Sequence, residues 1–154
     1  MNFLYFLLKG SSWLTGSSAG WDMPHSLWYE NDNGYILGII LAVLISFIFC
    51  VIYYQVFPRI FRNTPMSRLN WLLFMCINAV VVSLSCFCIA KNGILQYAIA
   101  NDYLSETPSM ESVLSSGTSD MWLYAIQNGI YSFLLFFIFS FVCRIKSRGF
   151  NIPF

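Results

Sequence analysis

Residues 71–90 read WLLFMCINAVVVSLSCFCIA, an uncharged run with the length of a membrane-crossing helix. A helix needs about 20 mainly apolar residues to cross about 30 Å of hydrocarbon. Two further runs meet that requirement: residues 35–54, YILGIILAVLISFIFCVIYY, and residues 121–143, MWLYAIQNGIYSFLLFFIFSFVC. The expected fold is an all-α membrane protein with three transmembrane helices. Composition agrees, because only 10% of the residues are charged and 58% are apolar. An average soluble domain carries roughly 25% charged residues, so a soluble fold could not coat its surface with this chain.

Charge orients the spans. Asp22, Glu30, Asp32, Asp102, Glu106, Glu111 and Asp120 all fall on one side of the three runs, accompanied by Lys9 and Lys91. Arg59, Arg62, Arg68, Arg144, Lys146 and Arg148 fall on the other. Basic residues concentrate in cytoplasmic loops, which places the N-terminus outside and the C-terminus inside. The chain then divides into an outer interfacial aromatic segment (1–34), a first span (35–54) and a basic cytoplasmic loop (55–70). A second span (71–90) leads to an acidic outer loop with a short helix (91–120). The third span (121–143) ends in a basic cytoplasmic tail (144–154). Tyr35, Trp122 and Tyr124 at outer ends, and Tyr53, Tyr54 and Trp71 at inner ends, are expected as interfacial anchors.

The first residues, MNFLYFLLKGSSWL, carry no basic stretch before the apolar run, and Lys9-Gly10 interrupts it. Cleavage as a signal peptide is not expected. Trp13, Trp21, Trp28 and Tyr29 instead suit a segment lying along the outer interface, with a plug or receptor contact as the alternative. In the outer loop, Ile94, Leu95, Ala98 and Ile99 continue the period of the second helix. Thr107-Pro108 reads as a helix start for a short piece ending at Ser115-Ser116-Gly117, and Asp120 suits an N-cap for the third span. Thr64-Pro65 reads the same way ahead of the second.

Little here suggests chemistry. Cys50, Cys76, Cys86, Cys88 and Cys143 all lie within the expected spans. A disulfide framework would put them in the oxidising compartment, so they are read as small packing residues. Cys143, beside Arg144, is also suited to acylation. Cys86-x-Cys88 lacks the further ligands a zinc site needs. His25, the only histidine, has no second ligand or fixed geometry and is read as solvated. No catalytic, cofactor-binding or metal-binding residue is assigned, and no cofactor, small-molecule substrate or nucleic acid is expected. No expected span contains a charge, which argues against proton-coupled transport.

What the spans do carry is small and amide residues. Cys76, Ala79, Ser83, Cys86 and Ala90 recur at spacings of three and four, as do Ala125, Gly129 and Ser132; Gly38, Ala42 and Ser46 recur every four. Such stripes let membrane helices approach closely. Asn78, Gln127 and Asn128 are amides in hydrocarbon and need interhelical bonds or a polar path. Three small faces in three helices imply a homo-oligomer, other membrane subunits, or both, within the bilayer.

Two functions fit. One is a small polytopic subunit that anchors or assembles a larger membrane complex. The other is a homo-oligomeric pore, holin-like or toxic-effector-like, that conducts ions or depolarises the membrane; the likeness to three-span phage holins is one of topology alone. The first is favoured, because nothing polar continues along one face for a whole span. The lack of an N-x-Ser/Thr acceptor and the compact size fit a bacterial inner membrane.

Overall fold

In a computed structural model, residues 28–29, 33–56, 68–101 and 110–146 are described, with side chains over 28–29, 33–56, 69–101 and 118–143. Within them the chain is entirely helical: α1 (Gly34–Val51), a π-helical turn (Ile52–Val56), α2 (Arg68–Ala100) and α3 (Met110–Lys146). Three stretches are long and apolar enough to cross a membrane: Gly34–Val56, Leu69–Ala100 and Thr118–Cys143. The N-terminal segment up to residue 27 (with His25), the loop basics Arg59 and Arg62, Thr64-Pro65, Thr107-Pro108 and Arg148 lie outside the described residues. So do the side chains of Arg68, Arg144 and Lys146.

α1 begins where Asn33 adopts a left-handed backbone, φ 58°. Asparagine tolerates that region better than most residues. The Asn33 carbonyl then accepts from the Leu37 amide at 3.0 Å and closes the first turn. At the other end the chain widens into the π turn, and the consecutive Tyr53 and Tyr54 are both buried.

α2 and α3 overrun their expected bounds. α2 continues ten residues past Ala90 because Cys86, Ala90, Ile94 and Ala98 hold one buried stripe at a spacing of four, while Lys91 and Asn92 face out. α3 starts at Met110 and passes without a break through Ser115-Ser116-Gly117. Gly costs only about 1 kcal/mol in a helix, and Ser less. Ending the helix there would instead strand four carbonyls. Asp120 consequently sits inside α3 rather than capping it.

The contacts fix the topology. Along α1 and α3 they run in the same order, from Gly34 with Tyr124, through Gly38 with Asn128, to Ser46 with Ser132, so these helices are parallel. α2 runs against both: its Trp71 meets Ser140, its Asn78 meets Ser132, and its Gly93 meets Trp28, just ahead of α1. In α3, Gln127, Asn128 and Gly129 are all buried in succession, which requires neighbours on more than one side.

Small residues permit these approaches. A Cβ added to Gly129 would collide with the Ser83 hydroxyl and lie 3.2 Å from the Ala79 carbonyl. One added to Gly38 would strike the Tyr124 hydroxyl and approach Asn128 Nδ2 at 2.9 Å. Close backbone approach is what gives apolar helices dispersion contacts that lipid would otherwise supply.

Candidate functional site

The interior of the bundle is organised in three levels. At the middle, three helices meet through polar atoms. Asn78 Nδ2 donates to Ser46 Oγ and to the Ser132 carbonyl, both at 3.1 Å. Ser46 Oγ donates onward to the same carbonyl at 3.2 Å. Ser132 Oγ turns back to the Gly129 carbonyl, 2.8 Å away. Asn78 is fully buried, and its Oδ1 accepts no hydrogen bond among the described residues. That orphan acceptor offsets part of what the two donations contribute.

The level at the Gly34 end is aromatic. Trp28 lies between α1 and α2, where a Cβ on Gly34 would come within 2.8 Å of its ring and one on Gly93 would collide with it. Its ring meets Tyr29 and Tyr124 edge-on, at centroid distances of 5.0 and 6.2 Å. Tyr29 stacks on Tyr35 at 5.4 Å. The Tyr124 hydroxyl donates to the Gly34 carbonyl at 2.7 Å, tying α3 to the start of α1. Asn128 Nδ2 satisfies the Tyr124 carbonyl at 2.9 Å, and Gln127 Nε2 donates to the Tyr131 hydroxyl at 2.6 Å.

The level at the Val51 end is also aromatic, with a polar edge. Tyr53 packs on Tyr54, Phe74 and Phe136, and Trp71 packs on Phe136 and Phe137. Trp71 Nε1 donates to Ser140 Oγ at 3.2 Å, and Ser140 Oγ donates to the Phe136 carbonyl at 2.8 Å. Tyr54 is buried in the same cluster as Trp71. Cys50 is buried in the same cluster, and Cys143 packs against it.

Several sequence-based expectations change in this light. Trp28 and Tyr29 are tucked into the bundle, each only 3% exposed. The end aromatics Tyr35, Tyr124, Tyr53, Tyr54 and Trp71 are likewise buried, and Trp122 alone of that set is exposed, stacked on Phe87 at 4.4 Å. Each aromatic finds a partner across the bundle, so packing draws it inward.

The expected α2 stripe is rotated. The buried face runs through Trp71, Met75, Asn78, Val82, Cys86 and Ala90; Ala79 and Ser83 lie on its shoulder against Gly129, and Cys76 points outward. Trp71 and Met75 belong to the cluster of Cys50, Tyr53, Tyr54 and Phe136, and Val82 to that of Ala42, Cys86 and Tyr124. Gly38, Ala42 and Ser46 are buried, as are Ala125, Gly129 and Ser132. Beyond Ser132, Phe136 is fully buried while Phe137 and Phe141 are exposed.

The outer surface of the spans is apolar. Leu37, Leu44, Ile48, Leu72, Val80, Leu84, Ile130, Leu134 and Ile138 are exposed over its length. A groove of about 420 Å³ between α2 and α3 and one of about 250 Å³ between α1 and α3 are lined almost wholly by apolar side chains, and neither reaches Asn78. Among the described residues no three His, Cys, Asp or Glu converge on a metal position.

The fold and the interior levels together define a three-helix bundle of membrane-spanning character. Comparison with known proteins adds no relative: no family model, no curated protein and no solved structure matches the chain.

Proposed function

We propose that this chain is a non-conducting, structural subunit of a membrane, inserted through α1, α2 and α3 with its basic loop and tail in the cytoplasm. In this reading it anchors or helps assemble a larger complex in a bacterial inner membrane. The observation that carries it is the burial of Asn78, Gln127 and Asn128 within a single protomer, each at most 1% exposed. A pore formed between copies of the bundle would have to use the outer faces, which present Leu, Ile, Val and Phe. A path through one protomer would have to pass the Trp28–Tyr124 level and the Tyr53–Trp71 level.

The small stripes are consumed inside the bundle, so they no longer argue for a partner. What supports partnership instead is the apolar outer surface, with its grooves between α2 and α3 and between α1 and α3. The test is ion flux through liposomes reconstituted with the purified protein. Tight vesicles containing folded protein support the structural role. Selective flux that disappears in Asn78→Leu or Asn128→Leu overturns it in favour of the pore.

A further inference from the structure

The apolar groove between α2 and α3 ends beside a cation. Val80, Leu84 and Phe87 fall along one side of α2 at spacings of four and three, and Lys91 follows one turn later. Trp122 lines the groove from α3 and stacks on Phe87, with ring centroids 4.4 Å apart. Residues four apart on a helix are neighbours, their Cβ atoms about 5–6 Å from each other. Lys91 therefore stands just beyond this aromatic pair. It is exposed, it is the only Lys or Arg among the described side chains, and no described residue pairs with it. Asp120 precedes Trp122 by two residues, about 200° round α3, and so projects away from the groove.

Depth separates the possible occupants of this groove. From Trp71 to Lys91, α2 rises about 30 Å, the thickness of the hydrocarbon layer, and Lys91 is the first charge after that run. Its ammonium thus reaches headgroup level at the Gly34 end while its methylenes lie along apolar surface. Along α3 the groove runs from Trp122 to Leu134, about 18 Å, against about 15 Å for the hydrocarbon of one leaflet. A further membrane helix would require contact over the full 30 Å or so, whereas a lipid chain requires one leaflet. We propose that the groove binds an anionic glycerophospholipid, with one acyl chain against Leu84, Ile126, Ile130 and Leu134 and the phosphate accepting from Lys91 Nζ. A headgroup with net negative charge is selected over a choline headgroup, whose own cation opposes Lys91. The Trp122 indole, at the same depth, suits the headgroup boundary. This inference rests on the membrane insertion proposed above, but not on which side is cytoplasmic or on whether the chain conducts. The groove between α1 and α3 is left to a protein partner.

The test is photolabelling of the full chain in phosphatidylcholine nanodiscs. The probe is phosphatidylglycerol carrying a diazirine in one acyl chain, and labelled positions are read by peptide mapping. The expected result is labelling concentrated on Leu84, Ile126, Ile130 and Leu134, and competed by unlabelled phosphatidylglycerol. The same diazirine on phosphatidylcholine should instead label the exposed α1 residues Leu37, Leu44 and Ile48 to a similar degree. Lys91→Gln should weaken competition by phosphatidylglycerol about fivefold, and Lys91→Arg should retain it. Even labelling of all three helices by phosphatidylglycerol would overturn the proposal, as would a groove label that Lys91→Gln leaves unchanged. A groove that neither probe labels, while the rest of the surface is labelled, would mean that protein covers it. No label anywhere from either probe would overturn membrane insertion and this inference with it. The wild-type map decides the question even where a substituted chain fails to fold.

Discussion

Asn78 on α2 donates from Nδ2 to the backbone carbonyl of Ser132 on α3, at 3.1 Å, in the middle of the bundle. The same carbonyl accepts from Ser46 on α1. One backbone oxygen thereby collects all three helices. A carbonyl has two lone pairs, and in a helix it normally uses one. The second is what α1 and α2 share here.

Removing this junction is expected to cost little. Interhelical hydrogen bonds in membrane proteins average about 0.6 kcal/mol, so Asn78→Leu, which removes two, should destabilise the bundle by about 1 kcal/mol. Loss of the orphan Oδ1 acceptor works in the opposite direction. Asn78→Asp should cost more, because it places a carboxylate oxygen where Nδ2 now meets the Ser132 carbonyl, in a site without a counter-charge. Reversible unfolding in mixed micelles, followed by circular dichroism, checks both. A cost above about 3 kcal/mol for Asn78→Leu would contradict the estimate drawn from such bonds.

Gly129 is a point of close approach between α2 and α3. Gly129→Ala forces its new methyl into the Ser83 hydroxyl and close to the Ala79 carbonyl. Overpacking of this kind costs about 1–3 kcal/mol. Ser83→Ala removes the hydroxyl and should recover part of that loss, while the Ala79 backbone contact keeps the recovery incomplete. Unfolding of the two single variants and the double variant measures the coupling; strict additivity would mean that the contact does not exist.

The seat of Trp28 makes a second coupled set. Its ring occupies space that only glycine leaves at positions 34 and 93. Gly93→Ala should expel the indole from the bundle, exposing it to a water-soluble quencher. Trp28→Ala should destabilise by about 3–5 kcal/mol, the usual cost of deleting a buried large aromatic. With Trp28 already removed, Gly93→Ala should cost almost nothing. If Gly93→Ala is equally harmful in both backgrounds, the indole is not seated there.

The junction of Trp71 with Ser140 offers a milder check at the opposite end. Trp71→Phe keeps most of the aromatic packing and loses the donation to Ser140 Oγ. The expected loss is about 1 kcal/mol, within the range for a single hydrogen bond. Ser140→Ala should cost about the same, and the double variant little more than either, as measured by thermal unfolding in detergent.

The number of helices and their apolar character were legible because a run of twenty uncharged residues has few alternatives. Their ends were not. Lys91 and Asn92 look like a boundary in one dimension, yet they sit on the outward side of a helix whose other side continues through Ile94 and Ala98. The face of α2 was misplaced for a related reason. Small residues mark a close contact, but the large Trp71, Met75 and Val82 occupy the buried face and pack into the two core clusters.

The partners of Asn78 lie on two other helices and are set by register, which no single helix encodes. The Trp28–Gly93 relationship belongs to the same category. Its members are far apart in the chain, and only the antiparallel packing of α2 against α1 brings them together.

The central claim is that the buried amides are held in a dry junction within one protomer. Solvent exchange of asparagine side-chain protons measures that directly, using asparagine-labelled protein in bicelles transferred to deuterated buffer. Asn101, which is exposed and donates to the Tyr97 carbonyl, provides the reference. The expected result is that the Asn78 and Asn128 amide signals persist long after that of Asn101 has vanished. Exchange of Asn78 as fast as that of Asn101 would mean that water reaches the junction, and the bundle would then contain the polar path that this account denies.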